Sequence, residues 1–296
     1  MKLEYMREDC NPQYGFLELQ NKILEIALYI DSLCREHDID YCLMGGSALG
    51  AKRHGGFIPW DDDLDIFMTP DNYEKFREVF NAHGDRKKFY LQELGLTDGM
   101  VTVPKLRMNG TTYIESAYEG WNMHHGIYVD IFILHKCPNS RLKQLHQCFW
   151  AKYVVMKGLA TRGYTRRGGF VGFILKVLRL FPDKMLIKHG LRQVYKYRNK
   201  NTDYFCNFLG KAVFKKGIYK RVWFEETVYA HFEKAELRIP KNLHDFLASR
   251  FGDYMQIPSP ERIKWEQHAK SWDTDRDFRE VLGKTDMEFS DERKLI

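Results

Sequence analysis

The spacing of apolar residues near the start of the chain predicts a long helix. Apolar positions recur at intervals of three and four over residues 16–33, which places them on one helical face. They are Phe16, Leu19, Ile23, Ile26, Ile30 and Leu33. Asn11 and Pro12 precede them and predict the helix start, because proline favours the first helical position. We expect this helix to pack against an apolar strand at residues 41–44.

Further apolar runs predict short strands that alternate with helices. The predicted strands cover residues 66–68, 89–94, 103–108, 111–115 and 126–134. Residues 48–52 predict a short helix, and a second helix begins near residue 71 with Asp71 or Asn72 as its cap. We therefore predict an α+β fold with a mixed β-sheet flanked by helices.

Asn109 and Gly110 predict a tight turn between two of these strands. Both residue types tolerate the positive φ angles of a two-residue type I′ turn, so the segment predicts a β-hairpin. Lys105 and Arg107 fall on one face of its first arm. By spacing alone, a solvated charged face is the simplest interpretation of these two cations.

The composition is that of a globular protein with a large core. The chain has 296 residues, of which 44% are hydrophobic and 29% are charged. It shows no apolar run long enough to span a bilayer and no signal peptide in its first ten residues, so we expect a cytoplasmic location. The cysteines show no C-x-x-C pair, which indicates reduced, mostly buried thiols. They are Cys10, Cys34, Cys42, Cys137, Cys148 and Cys206.

Residues 152–200 form a basic segment. They include thirteen Lys or Arg residues and one acidic residue, Asp183, and apolar residues interleave the cations. The segment predicts a helical insertion. It either lies peripherally on an anionic membrane, at its inner face, or presents a solvated basic face to water. Nucleic acid is a third possible partner, although the segment has no recognised nucleic-acid-binding motif.

An acidic run, Asp61-Asp62-Asp63-Leu64-Asp65, leads into the strand predicted at residues 66–68. Its carboxylates repel one another, and a divalent cation would offset that repulsion. Side chains alternate along an extended segment, so Asp63 and Asp65 point to one face while Leu64 points into the core. Two carboxylates on one face are suitable oxygen ligands for Mg²⁺.

A glycine pair and a serine precede this run. Gly45 and Gly46 permit a sharp turn, and Ser47 is predicted to cap the helix that follows. The N-terminus of a helix presents free N–H groups that bind anions such as phosphate. A phosphate cradle beside a carboxylate pair indicates metal-assisted phosphoryl or nucleotidyl transfer.

Asp130 interrupts the otherwise apolar strand predicted at residues 126–134. A buried carboxylate is costly unless it is paired, hydrogen-bonded or bound to a metal. Asp130 is therefore either a third metal ligand or an acid bonded to nearby backbone amides.

The segment from Arg53 to Asp65 carries the string Arg-His-x-Gly-Phe-Ile-Pro-Trp-Asp-Asp-Asp-x-Asp. This string resembles the LicD family of phosphocholine-type transferases, which is related to fukutin. The likeness extends from about residue 17 to about residue 268 and is weakest in the basic segment. It implies a nucleotidyltransferase-like catalytic core at residues 11–135, the basic helical insertion at 136–205 and a C-terminal region at 206–296 that packs on the core.

The resemblance also implies a set of site residues. Asp63, Asp65 and Asp130 would be catalytic and would hold Mg²⁺, with Mn²⁺ as an alternative. Asp61 and Asp62 would support these ligands. The substrate-binding residues would be Gly45, Gly46, Ser47, Arg53, His54, Lys105 and Arg107. The donor would be a CDP-alcohol, CDP-choline first, and the acceptor a hydroxyl of a cell-surface glycan or its lipid-linked precursor.

Two other functions fit the same residues. One is a nucleotidyltransferase that uses a nucleoside triphosphate on a small molecule or RNA and releases pyrophosphate. The other is a non-catalytic protein that binds a membrane or nucleic acid. Trp60, Trp121 and Tyr128 suggest an aromatic cage for a quaternary ammonium, although packing in the core is the simpler interpretation.

Overall fold

The computed structural model describes residues 14–93, 101–115, 118, 120–161, 169–180, 183–211, 214–259, 261, 263 and 267–284. Within these ranges the helices are α1 (Leu17–Glu36), α2 (Gly45–Arg53), α3 (Pro70–His83), α4 (Arg141–Thr161), α5 (Gly169–Arg179), α6 (Asp183–Tyr195), α7 (Leu243–Phe251) and α8 (Phe278–Val281). The strands are β1 (Cys42–Leu43), β2 (Asp65–Met68), β3 (Phe89–Gln92), β4 (Lys105–Met108), β5 (Thr112–Glu115), β6 (Tyr128–Ile133), β7 (His135–Cys137), β8 (Tyr204–Cys206), β9 (Ile218–Lys220), β10 (Thr227–Phe232), β11 (Ala235–Pro240) and β12 (Ala269–Asp273). Helices and strands are mixed along the chain, so the predicted α+β class is confirmed.

A five-stranded mixed sheet carries the predicted apolar runs. Its strand order is β1-β2-β6-β4-β3. Strands β2 and β6 are parallel, whereas the other neighbours in this sheet are antiparallel. Strand β6 lies at the centre and is buried along almost its whole length. Within β6, Val129 and Ile131, the residues on either side of Asp130, are fully buried in the core.

Helix α1 packs against this sheet through its predicted apolar face. All six residues of that face are buried in the main core. The helix contacts strands β4 and β6. Asn11 and Pro12, the predicted helix start, lie outside the described residues.

The predicted hairpin around Asn109 is wrong. The turn itself forms, and Gly110 has a φ of +72°. However, β4 pairs with β3 and β6, while β5 pairs with the distant strand β12. Both edges of β4 are thus occupied by other strands. Turn chemistry specifies a reversal of the chain, but it does not specify which strands pair afterwards.

Two predicted helix caps are also wrong. Thr69, not Asp71 or Asn72, caps α3, and its side chain accepts a hydrogen bond from the N–H of Asn72. Proline at the first position of α3 moves the helix start forward. Helix α2 begins at Gly45, so Ser47 lies inside it and Met44 occupies the cap position.

Helices α4, α5 and α6 form the described part of the basic segment, and both α5 and α6 contact α4. A second apolar cluster lies here, separate from the main core, and includes Ala151, Val154, Ile187 and Leu191. The predicted domain boundaries at 135 and 205 stay a prediction. The described cysteines, all except Cys10, are free and buried. None of the helices in the described ranges has both the length and the hydropathy of a membrane span.

Candidate active site

Asp65, Asp130 and Lys105 lie side by side across three adjacent strands. The parallel register of β2 and β6 pairs Asp65 with Asp130. The antiparallel register of β4 and β6 pairs Lys105 with the same Asp130. Asp63 lies two residues before Asp65, and the intervening Leu64 is fully buried, as the alternation predicted. The sheet register therefore brings Asp130 next to Asp65 and Asp63, which lie more than 60 positions earlier in the sequence.

Asp65 is the least satisfied of these acids. Its Oδ1 atom is buried and has no hydrogen-bond partner among the described residues. Burial raises the pKa of Asp65 well above its usual value, and the negative charges of Asp63 and Asp130 raise it further. Burial likewise raises the pKa of Asp63. The described side chains therefore do not fully compensate the negative charge of these carboxylates.

Lys105 neutralises one of the three acids. Its Nζ lies 2.5 Å from Asp130 Oδ1, and both side chains are buried. Burial opposes the charged amine, but the attractions of Asp130 and Glu115 together outweigh it and raise the pKa of Lys105. Nζ also lies 3.6 Å from the ring centroid of Tyr128, which gives a cation–π contact. Lys105 is therefore part of the acidic site itself.

Arg107 lies on the same side of β4 as Lys105. Its Cζ is 4.8 Å from the ring centroid of Tyr128. Its Nε donates to Gln92 Oε1 at 2.7 Å, and its Nη1 donates to the carbonyl of Gly126 at 2.9 Å. Nη2 is buried with no hydrogen-bond partner among the described residues. The solvated charged face that spacing alone favoured is wrong for both cations, since Lys105 and Arg107 are 4% and 1% exposed. Their predicted role in substrate binding stays a prediction.

The first turn of α2 packs directly against the acidic run. Gly45 has a φ of +57°, and a Cβ there would lie 3.7 Å from Asp65 Oδ2. A Cβ on Gly46 would lie only 2.8 Å from Asp61 Oδ2. Ser47 Oγ accepts a hydrogen bond from the N–H of Asp65 at 2.8 Å. The two glycines thus permit the close approach, and Ser47 fixes the start of β2. The serine hydroxyl still has a proton to donate.

Asp62 connects the acidic run to the C-terminal region. Its side chain is fully buried, and its Oδ2 accepts hydrogen bonds from the N–H groups of His268 and Ala269, each at 2.7 Å. His268 Nδ1 lies 3.3 Å from both Asp62 Oδ1 and Asp63 Oδ2. Possible ligand atoms of these three residues all lie within 4.8 Å of one another. The predicted supporting role of Asp61 and Asp62 stays a prediction.

His268 and Lys211 were not among the predicted site residues. Lys211 Nζ lies 2.8 Å from His268 Nε2, and the positive charge of Lys211 opposes in part the rise that burial causes in the pKa values of Asp63 and Asp65. The hydrogen bond to Asp62 raises the pKa of His268. Neither residue lies in a motif, and more than 140 positions separate them from the acidic run. The sequence therefore gave no indication that either residue lies at the site, apart from the fact that the family likeness extends to about residue 268.

Arg53 contacts the C-terminal region, and His54 contacts Arg53. Both are buried, and Arg53 Nε donates to His54 Nε2 at 2.9 Å. Arg53 Nη1 donates to the carbonyls of Tyr254 and Gln256, at 3.0 and 3.3 Å. In this arrangement their contacts are structural, and binding of a phosphate by either residue stays a prediction. The proposed aromatic cage is not formed by Trp60 and Tyr128, which are buried at 2% and 3% exposure.

The donor set fits a hard divalent cation. Asp63, Asp65 and Asp130 supply carboxylate oxygens, which Mg²⁺ and Mn²⁺ prefer over nitrogen or sulfur. The buried, unpartnered Oδ1 of Asp65 is the observation that favours a cation here. A cation would also remove the repulsion that raises the pKa values of these acids.

Comparison with known proteins supports the resemblance that the motif indicated. Residues 38–157 match the family model described as LicD/FKTN/FKRP, nucleotidyltransferase domain. The chain is 28% identical over 254 residues to the lipopolysaccharide cholinephosphotransferase LicD of Haemophilus influenzae. The aligned stretch covers 83% of this chain and 94% of that protein. A shorter stretch of 42 residues, 14% of this chain and 8% of that protein, is 48% identical to the human ribitol 5-phosphate transferase FKRP. The resemblance predicted from the string at Arg53 to Asp65 is confirmed: residues 38–157 match the domain of the LicD family.

Proposed function

We propose that this chain is a metal-dependent transferase that moves a phospho-alcohol from a CDP-alcohol to a glycan hydroxyl. Phosphocholine is the first candidate for the group transferred, and the acceptor is a cell-surface glycan or its lipid-linked precursor. The long match to a lipopolysaccharide cholinephosphotransferase and the short match to a ribitol 5-phosphate transferase support this class. The observation that carries the proposal is the pairing of Asp65 with Asp130 in the sheet register, with Oδ1 of Asp65 buried and without a partner among the described residues.

The three acids would hold the metal, which when bound would neutralise charge on the transferring phosphates. Burial raises the pKa of Asp130, and the pairing of Lys105 with its Oδ1 opposes that rise and favours the ionised carboxylate. The other oxygen of Asp130 is then available to accept a proton from the acceptor hydroxyl. In that step a bond forms between the acceptor oxygen and the distal phosphorus, and the bond from this phosphorus to CMP breaks. The proton passes to Asp130.

The cations at the rim would position the donor. Lys211 is exposed and lies next to His268, and the pair stands beside Asp63. An exposed ammonium at this position would attract the diphosphate of a CDP-alcohol. The start of α2 packs against the same acidic run, and its N–H groups would bind a phosphate oxygen. Positioning and charge neutralisation of this kind supply most of the catalysis of phosphoryl transfer.

A panel of donors tests the proposal. The purified chain is incubated with CDP-choline, CDP-ribitol, CDP-glycerol or CDP-ethanolamine, a glycan acceptor and Mg²⁺, and CMP is measured. We expect CMP release and a phosphorylated acceptor with at least one donor, and loss of both with a chelator. Pyrophosphate release from nucleoside triphosphates would instead indicate the nucleotidyltransferase alternative. Binding without any product would indicate the non-catalytic one.

A further inference from the structure

Exposed apolar side chains are concentrated on α4, α5 and α6 and on the turn that follows α5. Seven large apolar side chains between residues 142 and 185 are exposed: Leu142, Leu145, Phe149, Phe170, Phe173, Leu180 and Met185. Six of these seven are at least 63% exposed, whereas no large apolar side chain elsewhere in the described ranges exceeds 52%. A concentration of this kind marks an interaction surface, since single exposed apolar residues are scattered on ordinary proteins.

The exposed residues follow helical spacing. Leu142, Leu145 and Phe149 recur at three and four positions, which places them on one face of α4. Phe170 and Phe173 share a face of α5 in the same way. Leu175 is the only apolar residue of α5 that is buried; the others are half-buried or exposed. An apolar helix that covers so little of its surface inside the protein needs an apolar environment outside it.

Helices α5 and α6 also carry exposed positive charge that no described acid pairs with. Lys176, Lys188 and Arg192 are exposed and form no ion pair with the acids in the described part of the chain. Arg198, by contrast, is paired with Asp71 and Glu74. With the exposed Lys176, Lys188 and Arg192 unpaired in this way, the described surface of these helices complements an anionic partner. A second copy of the chain would instead place like charges together.

We propose that α4, α5 and α6 dock this protein on the surface of a bilayer that contains anionic lipids. We call this face the apolar basic surface; it consists of the seven exposed apolar residues together with Lys176, Lys188 and Arg192. Its phenylalanines and leucines enter the interface between headgroups and acyl chains, and its cations contact the lipid phosphates. Helices that combine apolar and basic residues bind bilayers in this way, through buried apolar area and electrostatic attraction together.

Liposome sedimentation tests this proposal without any measurement of turnover, so its outcome is separate from that of the transferase assay. One vesicle contains phosphatidylcholine alone, and the other contains equal amounts of phosphatidylcholine and phosphatidylglycerol. We expect the full chain to sediment with the anionic vesicle and not with the neutral one. Binding should weaken as salt rises, because the Debye length falls from about 10 Å at 0.1 M to about 3 Å at 1 M.

Two variants separate the charged and apolar contributions. Lys176→Gln with Lys188→Gln and Arg192→Gln should lower the partition coefficient about a hundredfold, because each cation near an anionic surface contributes a factor of about five. Phe170→Ser with Phe173→Ser should also weaken binding by at least about tenfold, since both rings lose their apolar contacts with the lipid. Because all five residues are exposed, we expect unchanged thermal unfolding.

The matched controls change exposed residues outside the apolar basic surface. Lys87→Gln with Lys215→Gln and Lys216→Gln removes the same charge, and Val228→Ser with Phe251→Ser removes apolar area. Both controls should bind the anionic vesicle like the wild type. Equal binding to both vesicles, no binding at low salt, or an equal loss in the controls would overturn the proposal. Formation of a dimer in sedimentation equilibrium would also overturn the proposal if Phe170→Ser with Phe173→Ser dissociates it. In that case a second copy of the chain, not a bilayer, would cover the surface.

Discussion

Asp65 and Asp130 are direct register partners on adjacent parallel strands, so their carboxylates emerge at the same level of the sheet. Asp63 adds a third acid two residues earlier, close enough for its charge to raise the pKa of Asp65, and Lys105 is the buried cation paired with Asp130. Burial and mutual repulsion raise the pKa values of Asp63 and Asp65. This relationship explains why the arrangement suits a divalent cation, and it leads to the first two predictions.

The first prediction concerns turnover. Asp65→Asn should reduce phospho-alcohol transfer at least ~10³-fold at saturating Mg²⁺, because removal of a metal ligand costs several kcal/mol of transition-state charge stabilisation. Asp63→Asn should have a similar effect. The control is Asp253→Asn, which changes an exposed acid in a loop. Initial rates of CMP release measure the effect, and an Asp65→Asn variant with more than a tenth of wild-type turnover would contradict the assignment.

The second prediction concerns stability in the presence of a chelator. Asp65→Asn should raise the melting temperature, because it removes one of three buried carboxylates that repel one another. Asp130→Asn should lower the free energy of unfolding by about 3–5 kcal/mol, because it leaves the buried ammonium of Lys105 without its partner. Calorimetry compares the two variants.

A double variant checks whether the stability lost in Asp130→Asn comes from the unpaired Lys105. Lys105→Met with Asp130→Asn removes the stranded charge, so it should recover part of the stability that Asp130→Asn loses. A double variant as unstable as Asp130→Asn would show that the pair does not govern stability.

The third prediction concerns the attachment of the C-terminal region. Asp62→Ala should cost more stability than His268→Ala, because Asp62 is buried and accepts two backbone N–H groups. Each donor left unsatisfied costs about 1–3 kcal/mol. His268 is partly exposed, so loss of its ring alone should cost below ~1 kcal/mol. Urea unfolding of the two variants measures this order, and the reverse order would contradict the attachment through Asp62.

The fourth prediction concerns acid sensitivity and His135, which lies outside the candidate site. Its ring is fully buried with no hydrogen-bond partner for either nitrogen among the described residues, and burial lowers its pKa to about 3. The unfolded value is about 6.5, so the unfolded chain binds the proton more strongly. The neutral ring's contribution to stability is therefore present above about pH 6.5 and is lost as the pH falls towards 3.

His135→Phe checks this prediction. It preserves an aromatic ring against Tyr195 but removes the titrating group. The difference in the free energy of unfolding between wild type and variant should change by about 1.4 kcal/mol per pH unit between pH 6 and 4. A difference that is constant over this range would contradict the prediction.

The sequence by itself determined those features that depend on local pattern or on a long motif. The periodicity of Leu19, Ile23, Ile26 and Ile30 identified α1 and the face that it buries, since only one face of a helix can pack against a sheet. The string from Arg53 to Asp65 identified the family. The alternation around Leu64 predicted that Asp63 and Asp65 share a face, because the side chains of an extended segment alternate.

Only the tertiary structure decided which distant residues meet. Asn109 and Gly110 specify a turn, but the strand partners of β4 and β5 depend on the free energy of the whole sheet, so the hairpin prediction was wrong. The pairing of Lys105 with Asp130 follows from the register of β4 and β6. His268 reaches Asp62 only because the C-terminal region folds back onto the acidic run. Contacts between residues far apart in the sequence are set by packing and register, which no local pattern encodes.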